Sequence, residues 1–106
     1  MDFDAVLDEI KDGIVVLVKT AIKTFAEDAK ADLLGFVEDS KADLKRYAEM
    51  LARGDLHKLE FEFLVKAQVT NAKLLALSAK GIAKARLKHL RDSLKDLILR
   101  SVFAAL

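Results

Sequence analysis

The chain has 106 residues, 53% of them apolar, no proline, no cysteine and a net charge of +1. That size fits one domain, and the composition excludes a disulfide framework and a thiolate metal site and frees helices from their strongest breaker. The small net charge hides an asymmetry: residues 1–53 carry −4 and residues 54–106 carry +5.

Asp2 is placed to cap a first helix, with Asp4, Asp8 and Glu9 near the positive end of its dipole. The apolar seam begins as Phe3, Leu7, Ile10, Ile14, Leu17 and Ala21, which is heptad spacing. Ile14 to Val18 is apolar on every side, so a helix there either lies inside a bundle of several helices, the preferred reading, or touches something apolar outside the protein. The run is far too short to span a bilayer. The acidic start lacks the basic segment of a secretory signal, and with no cysteine a cytoplasmic location is expected.

From Thr20 to Ala52 the chain repeats every eleven residues. Ile22, Leu33 and Leu44 share one column, Phe25, Phe36 and Tyr47 the next, and Ala29, Ser40 and Leu51 a third. Three turns of helix take about eleven residues, so the spacing predicts one nearly straight amphipathic helix. Asp28, Asp32, Asp39 and Asp43 form one edge of the seam, and Lys23, Lys30, Lys41 and Lys45 the other. Such edges read as solvated and partner-selecting. Gly35 and the cap-like segment from Ser40 to Asp43 argue locally for a break, but the repeat passes both without losing phase. Gly35 then reads as a close-packing point or a mild bend.

Arg53, Gly54 and Asp55 make the strongest break: Gly54 can end one helix in the left-handed conformation and Asp55 can cap the next. The same triplet matches a cell-adhesion motif, but turn chemistry suffices to explain it. The predicted fold is all-α: a long antiparallel hairpin of two helices over 3–53 and 56–104, joined at 53–55. Each helix would be about 75 Å long at 1.5 Å per residue.

The second helix carries a main stripe of Phe61, Val65, Ala72, Ala76, Ala79, Ala83, Leu87, Leu90, Leu94 and Ile98. Leu64, Ala67, Leu74, Leu75, Ile82 and Ala85 widen it to more than half the circumference. One neighbour cannot cover such an arc, which predicts a homo-oligomer, with two hairpins forming a dimeric four-helix bundle. The apolar end from Leu97 to Leu106 would then meet the turn zone, Leu56 to Val69, of the other copy. Gln68, Asn71 and Ser78 fall within the arc, where Gln68 and Asn71 are candidates for fixing register or oligomer number.

The polar strip of the same helix is basic. Lys66, Lys73, Lys80, Lys84, Lys88, Arg91 and Lys95 fall within about 40° of one line at 100° per residue. It reads either as a solvated back balanced by the acidic first half, or as a footprint for nucleic acid or an anionic membrane. No aromatic residues interleave it and no nucleic-acid motif accompanies it.

Catalytic chemistry is not indicated. His57 and Glu60 are one turn apart, in the reverse of the order used by di-iron bundles, and His89 lies among cations. There is no glycine-rich phosphate loop, nucleophile elbow or zinc-protease motif. No cofactor and no enzyme activity are expected. The leading reading is a self-associating structural or interaction module that also docks a partner helix. Binding to a lipid or granule surface comes next, by eleven-residue periodicity and lysine edges, and nucleic acid after it.

Overall fold

A computed structural model describes residues 1–22 and 24–106. Lys23, read above as an edge cation, lies outside them. The helices are α1 (Phe3–Ala21), α2 (Ala26–Ala52), α3 (Lys58–Thr70), the short α4 (Leu75–Ala79) and α5 (Lys84–Ala104). The chain is all-α, but it is a compact bundle of four main helices within one chain, not a hairpin of two long ones. Its extents are 42 × 22 × 20 Å, against about 75 Å for the predicted rod.

The packing closes a ring. α1 packs on α2 and α5, α3 packs on the same two, and α4 lies on α2. α1 and α3 therefore stand at opposite corners. Lys11 opposite Glu38, Asp43 opposite Gln68, Phe61 opposite Phe103 and Gly13 opposite Leu97 make each neighbouring pair antiparallel. A Cβ on Gly13 would come within 2.5 Å of Leu97, so this glycine lets α1 and α5 approach closely.

Each departure from the hairpin has a local cause. α1 begins as expected, with the Asp2 carboxylate accepting from the amides of Asp4 and Ala5 at 3.1 and 3.4 Å. It stops at Ala21, where the seam changes from seven-residue to eleven-residue spacing. Just before this, the Thr20 hydroxyl donates to the carbonyls of Val16 and Leu17, a side-chain bond that competes with the helix ladder. Ile22 is extended and Phe25 takes a left-handed φ of 61°, which costs a bulky residue about 1 kcal/mol. The Phe25 ring receives Lys80 Nζ at 5.7 Å from its centre.

Within α2 the repeat holds. Ala29, Leu33, Val37, Ser40, Leu44, Ala48 and Leu51 are buried, spaced by threes and fours in the expected rhythm. The middle column is displaced by one residue: Val37 and Ala48 are buried where Phe36 and Tyr47 are half-buried. The helix crosses Gly35 and Ser40 unbroken. Gly35 is not a close-packing point, since a Cβ there would meet nothing within 4 Å.

Gly54 ends α2 as predicted, at φ 82°. The amide of Asp55 donates to Met50 O at 2.8 Å and that of Gly54 to Leu51 O at 3.1 Å, the paired bonds of a Schellman motif. Asp55 pairs with Arg53 at 3.1 Å rather than capping α3. Glu60 serves that end instead, its Oε1 accepting from the His57 amide at 2.9 Å.

The second half divides twice more, at 71–74 and 80–83. Gly81, at φ 75°, ends α4 by the same motif as Gly54, with Ile82 donating to Leu77 O and Gly81 to Ser78 O. The alanines of the predicted stripe thus fall largely in connections and in a short helix. Half of the arc that asked for a second copy is covered by the chain itself: Phe61, Val65, Ala72, Leu74, Leu87, Leu90, Leu94 and Ile98 are buried, whereas Ala67, Leu75, Ala79, Ala83 and Ala85 are exposed. The turn zone and the C-terminal zone do meet, with Phe61 and Phe103 edge to face at 5.9 Å, but within one chain.

Candidate functional site

The predicted basic stripe is straight only on a continuous helix. Once α3 and α5 lie antiparallel, Lys66 faces back toward residues that would have stood about 33 Å along the rod. The result is an open groove of ≈ 860 Å³ between the two helices. Lys66, Val69 and Thr70 form the α3 wall, and Lys84, Lys88, Arg91 and Lys95 the α5 wall, joined by Asp92 and Asp96. Five of the seven predicted cations therefore converge on one concavity, against two carboxylates. Lys73 lies apart, in a second depression with Asp32, Asp39 and Leu75. Lys80 lies over Phe25.

The five cations are not equivalent. Arg91 donates from Nε and Nη2 to the Ala72 carbonyl at 3.1 and 2.8 Å, tying α5 to the connection after α3. Lys88 meets Asp92 at 3.1 Å, and Lys95 meets Asp96 at 3.4 Å. The hydrogen bond from Lys88 holds the Asp92 carboxyl below its ordinary value, opposed by desolvation. Lys66 and Lys84 have no carboxylate partner among the described residues.

The acidic half does not neutralise this groove. Its ion pairs are internal: Lys11 with Glu38 at 2.7 Å and Arg46 with Asp43 at 3.1 Å. Among the described residues, no acid of residues 1–53 pairs with a cation of the stripe. The outward acids of α1 stand at the corner opposite α3. Asp2, Asp8, Glu9 and Asp12 there line a groove to which no cation contributes.

Of the three polar residues of the predicted arc, Gln68 and Asn71 make hydrogen bonds within the chain. Gln68 Nε2 donates to Asp43 Oδ2 at 3.1 Å, joining α3 to α2. Asn71 donates to Ala67 O at 3.1 Å and sits at the C-terminal cap of α3.

Two features escaped the sequence reading. Asp32, placed there on a solvated edge, caps α4: its carboxylate accepts from the amides of Ala76 at 3.1 Å and Leu77 at 2.9 Å. Nothing local announces a cap 44 residues distant in sequence. Leu59 and Phe63 are the second, exposed on the outer face of α3. Their signal was present, since both are large apolar residues off every predicted stripe and inside the apolar turn zone, Leu56 to Val69, that was expected to meet another copy.

Among the described residues, no group of three or more His, Asp or Glu is placed to hold a metal. No described helix is long and apolar enough to cross a membrane. Compared with known proteins, the chain matches no family model, no curated protein and no solved structure.

Proposed function

We propose that this protein is a non-enzymatic interaction module that docks an anionic partner on the face formed by α3 and α5. The carrying observation is the convergence of Lys66, Lys84, Lys88, Arg91 and Lys95 on one groove, while among the described residues no acid of the first half pairs with any of them. A stripe balanced by its own chain would have its lysines matched across the helix interface. Here, among the described residues, Lys66 and Lys84 of the groove form no ion pair, and its five cations face two carboxylates. Such a groove concentrates field and attracts a partner of opposite charge.

Retention on immobilised heparin tests the reading. Lys66→Glu with Lys84→Glu reverses the two unmatched cations. Lys41→Glu with Lys45→Glu, on exposed positions of α2, changes the net charge equally and serves as the control. The expected outcome is salt-sensitive retention, lost in the first pair and kept in the second. Equal loss in both would reduce the groove to bulk charge and sink the reading.

A further inference from the structure

Leu59 and Phe63 are 79% and 71% exposed, one helical turn apart on α3. They do not line the basic groove; they project beside it. At 100° per residue, Leu59, Phe63, Lys66 and Thr70 fall within about 60° of one line, so the apolar ridge runs directly into the groove wall. Two large side chains held this far into water on an ordered helix ask for a covering surface.

The chemistry of that surface is constrained from both sides. A duplex phosphate backbone would engage the lysines and leave Leu59 and Phe63 wet. A small anion seated in the groove would do the same. A folded protein would need a matching cavity for a protruding ridge. An anionic bilayer satisfies both features at once. Lysines reach headgroup phosphates on long apolar stems, and protruding apolar side chains enter the boundary between headgroups and acyl chains without a preformed pocket. The charge distribution agrees in part: the acids Asp2, Asp8, Glu9 and Asp12 lie on α1, at the corner opposite α3, in a groove that reaches α5 only at its C-terminal end, Ala105.

We infer that the α3–α5 face docks on anionic lipid bilayers, with Lys66, Lys84, Lys88 and Lys95 at the headgroups and Leu59 and Phe63 inserted below them. This inference rests on the anion-docking reading above and names its partner.

Co-sedimentation of the full chain with vesicles tests it. One set is phosphatidylcholine alone and the other contains about one-third phosphatidylserine. Leu59→Ser with Phe63→Ser removes the ridge at two exposed positions, and a thermal melt followed by circular dichroism verifies that the fold persists. The wild type is expected to sediment with the anionic vesicles only. The double variant is expected to lose roughly tenfold in partitioning, with retention on heparin unchanged. Phe63→Trp supplies the chain's sole tryptophan, whose emission should shift to the blue on the same vesicles. Undiminished partitioning of the double variant, or no blue shift, overturns the inference. So does binding to heparin or duplex DNA without binding to vesicles, which leaves charge-driven docking in place. Failure to bind heparin, DNA or vesicles removes the docking reading itself.

Discussion

Asp32 and Gly35 lie one turn apart on α2 and behave oppositely. The Asp32 carboxylate is half-buried and satisfies two amides at the start of α4, a helix too short to hold itself. Asp32→Ala leaves those amides without their acceptor and should cost about 1–2 kcal/mol, as for a lost cap with a charged acceptor. Asp32→Asn keeps one acceptor oxygen and should cost less. Gly35 sits in a helix interior with open space where its Cβ would be. Gly35→Ala should therefore stabilise the fold by about 0.5–1 kcal/mol through helix propensity alone. Urea titrations of the three variants decide both points. A neutral Asp32→Ala, or a destabilising Gly35→Ala, would mean that α2 is placed differently.

The helices themselves were legible to different degrees. α2 was readable because its seam repeats three times, and Ala29, Leu33, Ser40, Leu44 and Leu51 are buried as read. The stop at Gly54 was readable because a left-handed glycine ends a helix by local bonds alone. The break at Phe25 was not, since no turn residue marks it and the only trace is a change of period near Ala21. The division of the second half was marked in part, since Gly81 ends α4 by local bonds as Gly54 ends α2; the break at 71–74 was hidden because its cues are long-range, with Asp32 drawing the amides of α4 and Arg91 drawing the Ala72 carbonyl. The site followed the fold. The cations share one line only on a continuous helix, and the convergence of five of them depends on α3 folding back along α5, which the period cannot supply.

At this scale the α1–α2 contact carries its own prediction. Lys11 and Glu38 bridge the two helices at 2.7 Å. Their hydrogen bond lowers the Glu38 pKa and raises that of Lys11, opposed in each case by desolvation. A lowered carboxyl contributes stability above its unfolded pKa and loses it as pH falls through the folded value. A raised amine contributes fully below its unfolded pKa and loses it as pH rises through the folded value. The bridge is therefore intact across the neutral range and fails first on the acid side of ordinary carboxylate titration. Because both groups are solvent-facing, the effect is small and weakens with salt. Lys11→Met should be less stable than the wild type at neutral pH, with the gap closing as Glu38 protonates. A gap constant from neutral pH to about pH 3 would remove the bridge from the balance.

For the whole molecule, the decisive property is closure. A two-helix rod exposes the broad apolar arc of its second half along its entire length. Folding the same residues into four helices brings α5 back against α1, so helices from opposite ends of the chain share one core. The Cα radius of gyration is 13.6 Å, close to the ~13 Å typical of a compact chain this long. A rod of about 75 Å would give roughly 22 Å. Small-angle X-ray scattering over a dilution series, extrapolated to zero concentration, separates these shapes without reference to any partner. The expected profile is that of a short ellipsoid, with a radius of gyration a little above the Cα value because side chains and hydration add to it. A value near 22 Å, with the linear cross-section plot of a rod, would return the chain to two long helices and dissolve the groove. The groove exists only if α3 and α5 lie side by side, so this measurement also bounds every proposal made for the face they form.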